Sequence, residues 1–317
     1  MKAKRSLLIC VLSSLLLVAC GGDGGGGGSS SGGGGGGSGG GNIVAKKLLS
    51  RVVTEGVGER TFQYDNQNRL IADSNLGVGN KIEYEGNDFH PSLVANGAPV
   101  SIWTCDGSDG NPVSITAAYT QYQYGEDSLF NGVPTKYYQT HPLDQNKKPC
   151  DSNRFYRHYL NADGREVSSG DYAASSNFFW GGNYGASYDE HGNLLSWLAI
   201  GSCGPACFYT KKSEYTYDDK KGSTSGMTTP LWWFGNSADS FSDNLIANPN
   251  NLLSYTVTID FVTGATGYKL SEETYSYTYD QDGYPTAVDV TTVSRGLQDP
   301  TQTTTTSRRT FEYIAAH

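Results

Sequence analysis

Tyr275-Ser276-Tyr277-Thr278-Tyr279-Asp280-Gln281-Asp282-Gly283-Tyr284-Pro285-Thr286 alternates aromatic and hydroxyl side chains, stops at an acid, turns on a glycine and resumes as an extended run. Period-two alternation of aromatic and β-branched residues is a strand signal. An Asp or Asn opening the turn accepts hydrogen bonds from the next backbone N–H groups, and the Gly takes a positive φ that other residues resist. The same unit recurs along the chain. It is read at Phe62 to Leu70, Tyr159 to Arg165, Tyr188 to Leu194 and Tyr215 to Gly222, each as strand, tight turn and second strand. Tyr255-Thr256-Val257-Thr258-Ile259 adds a further alternating run. Hairpins strung in sequence build an antiparallel meander, and no window carries a convincing amphipathic helix. The expectation is therefore all-β. A sheet of so many strands must curl or close to protect its edges, which gives one strongly curved sheet, an open barrel or a shell over residues 42–317.

The N-terminus has a different character. Lys2, Lys4 and Arg5 precede an apolar run from Ser6 to Ala19, the form of a secretory signal peptide. It ends Leu17-Val18-Ala19-Cys20, which resembles the lipobox of bacterial lipoproteins. That resemblance implies removal of residues 1–19 and acylation of Cys20. Several acyl chains on one residue make a stable anchor where one chain alone is marginal. Residues 21–41 hold 16 of the chain's 41 glycines, with four serines and one Asp, a flexible tether with an r.m.s. reach of about 25 Å. The resemblance also implies outer-membrane sorting, because Gly21 and not an Asp follows Cys20; both sides of that membrane are compatible with the sequence. Loss of the three signal-peptide cations takes the formal charge of −9 to −12. Anionic lipid surfaces repel such a domain. The same acidity, with a pI near 5.0, excludes a nucleic-acid partner, which needs a basic face. A mean hydropathy of −0.47 excludes a chain of many membrane helices.

The Tyr188 and Tyr277 units resemble the YD repeat of Rhs-type bacterial surface and toxin-shell proteins. Most of Asn42 to His317 is similar to lipoprotein domains of unknown function common in Bacteroidetes, for which a porin-like β-fold is described. The hairpins, the Phe179-Trp180 pair and the segment from Asn236 to Ser254 carry that resemblance. It implies a fold and no activity.

Beyond Cys10 in the signal and Cys20, four cysteines remain: Cys105, Cys150, Cys203 and Cys207. An even number in an exported domain reads as two disulfides. Cys203 and Cys207 flank the compact Gly204-Pro205-Ala206, so Cys105–Cys150 with Cys203–Cys207 is the favoured of three connectivities. Cys203 to Cys207 is one residue too long for a CxxC redox motif. His90, His141, His158, His191 and His317 show no metal-ligand spacing, and Asp106, Asp109, Asp280 and Asp282 complete no calcium loop, so no metal or cofactor is assigned. Gly222-Ser223-Thr224-Ser225-Gly226 has Thr224 where a nucleophilic serine would stand. No catalytic residue is assigned either. Trp232 and Trp233 are adjacent, and in an extended segment they point to opposite faces; with Trp180 they are the candidate ligand-binding aromatics. The alternative is that their loop plugs the curved sheet. Taken together, the chain reads as a membrane-anchored envelope domain that binds a glycan or an envelope protein, or acts as a scaffold. A glycan-active hydrolase with a cleft inside the sheet and a structural part of an outer-membrane complex are the alternatives.

Overall fold

In the computed structural model the alternating segments are strands, and the acid or amide closing them organises its turn by one repeated scheme. The structure describes residues 46–317 other than 76–77, 107–111, 129, 131, 150–153, 174–177, 205–206, 231–247, 262–265 and 297–300. At Asp280 the backbone N–H donates to the Tyr284 carbonyl, while Oδ1 accepts from the N–H groups of Asp282 and Tyr284, each 2.9 Å away. Gly283 then sits at φ 82°, where any side chain is strained. Asp65, Asp189 and Asn161 repeat the scheme, accepting from the residues two and four further on. So does Asp144, which follows Leu143 and is missed by a search for Tyr–Asp pairs.

These turns make folding acid-sensitive. Burial pushes the carboxyls of Asp65, Asp189 and Asp280 up, but hydrogen bonds from Arg69, from Asn193, and from Lys47 and Tyr284 outweigh it and hold all three below the usual range. At Asp144 the Lys148 N–H is the largest cause of a lowered value. A depressed folded-state pKa contributes stability that is complete above the unfolded value of about 3.9 and is lost as the pH falls toward the folded one. Thermal stability is therefore expected to be flat from about pH 7 to 5 and to fall steeply below about pH 4, with a shallower fall in Asp280→Asn. Equal acid slopes in parent and variant would show that the turn carboxylates are not responsible.

The elements run β1 (Lys47–Thr54), β2 (Gly58–Tyr64), β3 (Leu70–Asn75), β4 (Val78–Tyr84), β5 (Pro91–Asp106), β6 (Pro112–Asp127), β7 (Thr135–Leu143), β8 (Arg154–Leu160) and β9 (Glu166–Ala173). They continue with β10 (Phe178–Tyr184), the stub β11 (Ser187–Tyr188), β12 (Leu194–Gly204), β13 (Cys207–Tyr217), β14 (Leu252–Phe261), β15 (Tyr268–Tyr279), β16 (Pro285–Arg295) and β17 (Gln302–Ala315). Every ladder is antiparallel and joins neighbours in sequence, and β1 also pairs with β17 from Lys47↔Ala315 to Thr54↔Arg309. The meander thus closes into a barrel with one weak seam: β10 meets β12 only at Asn183↔Ala199, supplemented by the β11 stub. No helix occurs among the described residues.

One expected hairpin is corrected. Tyr215 to Gly222 does not return directly as a second strand; β13 ends at Tyr217 and its partner β14 begins only at Leu252. The turn scheme survives across the gap, with Asn251 in the place of the fourth residue. Asp218 N–H donates to the Asn251 carbonyl at 3.0 Å, and Asp218 Oδ1 accepts from the Asn251 N–H at 3.0 Å and the Lys220 N–H at 3.1 Å.

Alternation sorts side chains to two faces, and the inner face is the apolar one. Leu49, Val52, Phe62, Leu70, Ile82 and Val94 from β1 to β5 pack with Tyr255, Val257, Val288, Val290 and Phe311 from β14, β16 and β17 in one buried cluster. The outer face of β13 to β17 carries Lys212, Glu214, Thr216, Thr274, Asp289, Thr306, Arg308 and Glu312, all exposed. Ion pairs Arg308–Asp289, Lys212–Glu214 and Arg51–Glu312 lie on this outer surface, where such pairs contribute little to stability.

Candidate functional site

The two ends of the barrel are built differently, and the strand order says which residues meet at each. Connections 65–69, 85–90, 128–134, 161–165, 185–193, 218–251 and 280–284 gather at the end where the described chain begins and finishes. Ala316 N–H donates to the Lys46 carbonyl there, and His317 N–H to Asn68 Oδ1. A ring of phenols seals this end. Tyr64, Tyr84, Tyr124, Tyr188, Tyr217 and Tyr313 stand at or within three residues of a strand's end and donate to the first or an early carbonyl of the preceding upward strand: Leu49, Leu70, Pro91, Glu166, Leu194 and Pro285 respectively. At Tyr64–Asp65, Tyr188–Asp189 and Tyr217–Asp218 the pair thus has two jobs: the tyrosine locks the hairpin behind it, and the acid caps the turn ahead.

The insertion after Asp218 completes the closure. Lys221 to Pro230 crosses to the β2–β3 turn, where Thr229 Oγ1 accepts from the Leu70 N–H at 2.7 Å and Thr228 N–H donates to the Asn68 carbonyl at 3.2 Å. Met227 Sδ receives the Tyr64 hydroxyl at 3.1 Å. Gly226 passes so close to β1 that a Cβ would lie 2.0 Å from the Lys47 carbonyl oxygen. The chain returns at Asn248, whose Oδ1 accepts from the Leu194 N–H.

Toward the far end the inner face becomes polar. Val52 gives way to Thr54, Phe62 to Arg60, Leu70 to Asp73, Tyr275 to Glu273, and Phe311 to Arg309. Arg60 Nε is 2.7 Å from Asp73 Oδ1 and its Nη2 also contacts Oδ2; Glu273 accepts from the Tyr275 hydroxyl and from Thr292.

The phenol ring is interrupted at β8, which ends in Leu160, and beside the gap the interior holds Tyr138, His158 and Glu166. Glu166 Oε2 accepts from the Tyr138 hydroxyl at 3.1 Å and lies 2.9 Å from His158 Nδ1, off that nitrogen's donor direction. The His158 ring stacks on Tyr138 at 4.3 Å and 9°. Burial, then the Glu166 charge, pushes the Tyr138 phenol well above its ordinary range. Histidine against a carboxylate is a pairing used in general-base catalysis. Here, however, the two side chains are 6% and 11% exposed and the tyrosine covers one face of the imidazole. On the outer face of the same strands Arg157 joins Asp127 and Gln139 and stacks on Tyr137, while Gln139 bonds His141 at 2.8 Å. Burial, then Arg157, lowers the His141 pKa and favours its neutral ring.

The residues singled out from sequence fall elsewhere. Cys105, Cys203 and Cys207 stand on strand ends at the far end, with Gly204 paired to Cys207; their side chains, and Cys150 altogether, lie outside the described residues. Trp180 belongs to β10, its backbone paired with Asp171, and its side chain is also outside the description. Trp232, Trp233 and Cys20 lie outside the described residues. The described parts of that connection, 221–230 and 248–251, pack at the near end through Gly226, Met227, Thr229 and Asn248. The Tyr138–His158–Glu166 group was missed because its members are far apart in sequence; the one hint was Phe155 to Leu160, bulky on both alternations, which marks a strand covered on both faces.

Among solved structures the chain is similar to a porin-like protein from Bacteroides uniformis ATCC 8492, at 11% identity and a TM-score of 0.35, covering 85% of this chain and 99% of that one. It is also similar to a porin-like protein from Bacteroides vulgatus ATCC 8482, at 10% identity and a TM-score of 0.37, covering 84% and 99%. No family model and no curated protein matches.

Proposed function

We propose that this protein is a lipid-anchored envelope barrel that acts as a non-catalytic binding or scaffold module. The polarity of the wall carries the reading. A barrel that spans a bilayer presents an apolar band about 25 Å tall outward and keeps its polar side chains inside. Here the core is inside, and the outer face of β13 to β17 carries charges and threonines. Such a wall is suited to water, so membrane attachment falls to the chain's N-terminus, where Leu17-Val18-Ala19-Cys20 supplies the acylation signal. Interior carboxylates are engaged by neighbours, Asp73 by Arg60 and Glu166 by Tyr138, which favours structure over catalysis for these groups. Cys105, Cys203 and Cys207 stand on strand ends at the far end, and with Cys150 they are read as two disulfides.

The test is to exchange residues 1–20 for a secretory signal that is cleaved without lipidation. The parent protein is expected to sediment with membranes and to need detergent for release. The exchanged form is expected in the soluble fraction with an unchanged far-ultraviolet circular dichroism spectrum. If it stays in the membrane until detergent is added, the barrel is itself embedded and the proposal falls.

A further inference from the structure

We propose that the weak seam is a strand-acceptor site, at which an extended, uncharged peptide segment of a partner protein adds between β10 and β12. Other ladders run further; β16 and β17, for example, pair without interruption from Ala287↔Thr310 to Arg295↔Gln302. Between β10 and β12 the ladder is present at Asn183↔Ala199 and, among the described residues, does not continue. Phe178 to Gly182 and Ile200 to Gly204 therefore face each other as two strand edges running on from an existing ladder. Unpaired strand edges expose backbone donors and acceptors that only another extended backbone can satisfy along their length.

Edges left open are normally guarded by lysine, proline or a short strand. Phe178-Phe179-Trp180-Gly181-Gly182 and Ile200-Gly201-Ser202-Cys203-Gly204 contain no charged residue and no proline. β12 spans 11 residues, far longer than the ladder it forms with β10. The outer surface changes character at the same place. Leu198, Ile200 and Phe208 are 37%, 58% and 51% exposed, whereas further along β13 the outward residues are Lys212, Glu214 and Thr216. Leu198 and Ile200 alternate along β12, and Ser202↔Phe208 brings Phe208 alongside them. An incoming strand thus finds backbone partners on its edges, no charge along them, and Leu198 and Ile200 beside it on the outer face of β12, which suits an extended, uncharged occupant. The seam opens toward the end opposite the chain termini, so the inference is compatible with the anchoring proposed above, but it does not depend on it.

The test uses the full chain and a fluorescein-labelled, end-capped octapeptide of alternating threonine and valine, with a version carrying one central proline as control. In the free protein, the amides of residues 200–204 that point to the seam and not to β13 are expected to exchange at least about tenfold faster than those of Val288 to Thr292. Adding the alternating peptide is expected to slow them by a similar factor and to raise fluorescence anisotropy, while the proline version does neither. Ile200→Lys places an edge lysine at an exposed position, and is expected to weaken peptide binding about tenfold or more with an unchanged unfolding midpoint. Seam-facing amides of 200–204 as slow as those of β16, or peptide binding indifferent to Ile200→Lys and to proline, would overturn the proposal. So would concentration-dependent self-association that protects 200–204, because the occupant would then be a second copy. Each readout is made on purified protein, so its failure is distinct from a failure of the fractionation test.

Discussion

Replacing Asp218 by Ala is expected to lower folding stability by about 3 kcal/mol and to expose residues 219–250 to proteolysis. Asp218 is the clamp that lets a hairpin tolerate a long insertion in its turn. Closing about 32 residues where the other turns close about four is roughly three doublings of loop length, an entropic cost of about 2 kcal/mol. The carboxylate offsets it by accepting from the Asn251 and Lys220 N–H groups, from Asn251 Nδ2 at 3.2 and 3.3 Å, and from the Tyr279 hydroxyl. Burial, then Asp218, raises the Tyr279 phenol, as expected for a donor held against a charge. Hydrogen bonds to charged groups contribute about 1.5 to 3 kcal/mol each at most and are not additive, hence the total. Asp218→Asn keeps one acceptor oxygen and should recover about half of the loss. Urea unfolding with limited proteolysis checks both variants; an Asp218→Ala protein within about 0.5 kcal/mol of the parent would mean that the strands alone hold the insertion.

Asp73→Ala is expected to be at least as damaging, at about 3 kcal/mol, by a different route. Asp73 is 5% exposed and forms a two-point contact with Arg60, whose own side chain is 18% exposed. Removing the carboxylate takes from this guanidinium its two-point charge partner on the inner face, and breaking a buried pair from one side typically costs about 3 to 5 kcal/mol. The partial exposure of Arg60 places this pair at the low end. Replacing both partners by apolar residues of similar size, Arg60→Met with Asp73→Leu, should return most of the stability, since the desolvation of both charges is avoided. A double variant no more stable than Asp73→Ala would refute this account and point to packing around Phe62 instead. Chemical denaturation of the three proteins decides it.

The sequence by itself determined the turns, the strand type and the candidate anchor. A turn such as Asp280 to Tyr284 is a local object: its donors, acceptor and positive-φ residue lie within five positions, so composition and spacing suffice. That locality also explains the single misreading, because Asp218 has the residues of a turn opener but its fourth partner, Asn251, comes after an insertion. Only the tertiary structure decided which face of each alternating strand is inside, since alternation fixes two faces without naming the core. The closing of β1 on β17, the polar far end, the weak β10–β12 seam and the meeting of Tyr138, His158 and Glu166 depend on registers between residues tens to hundreds of positions apart. Those registers follow from how a twisted sheet of this length closes on itself, and no window of the sequence contains them.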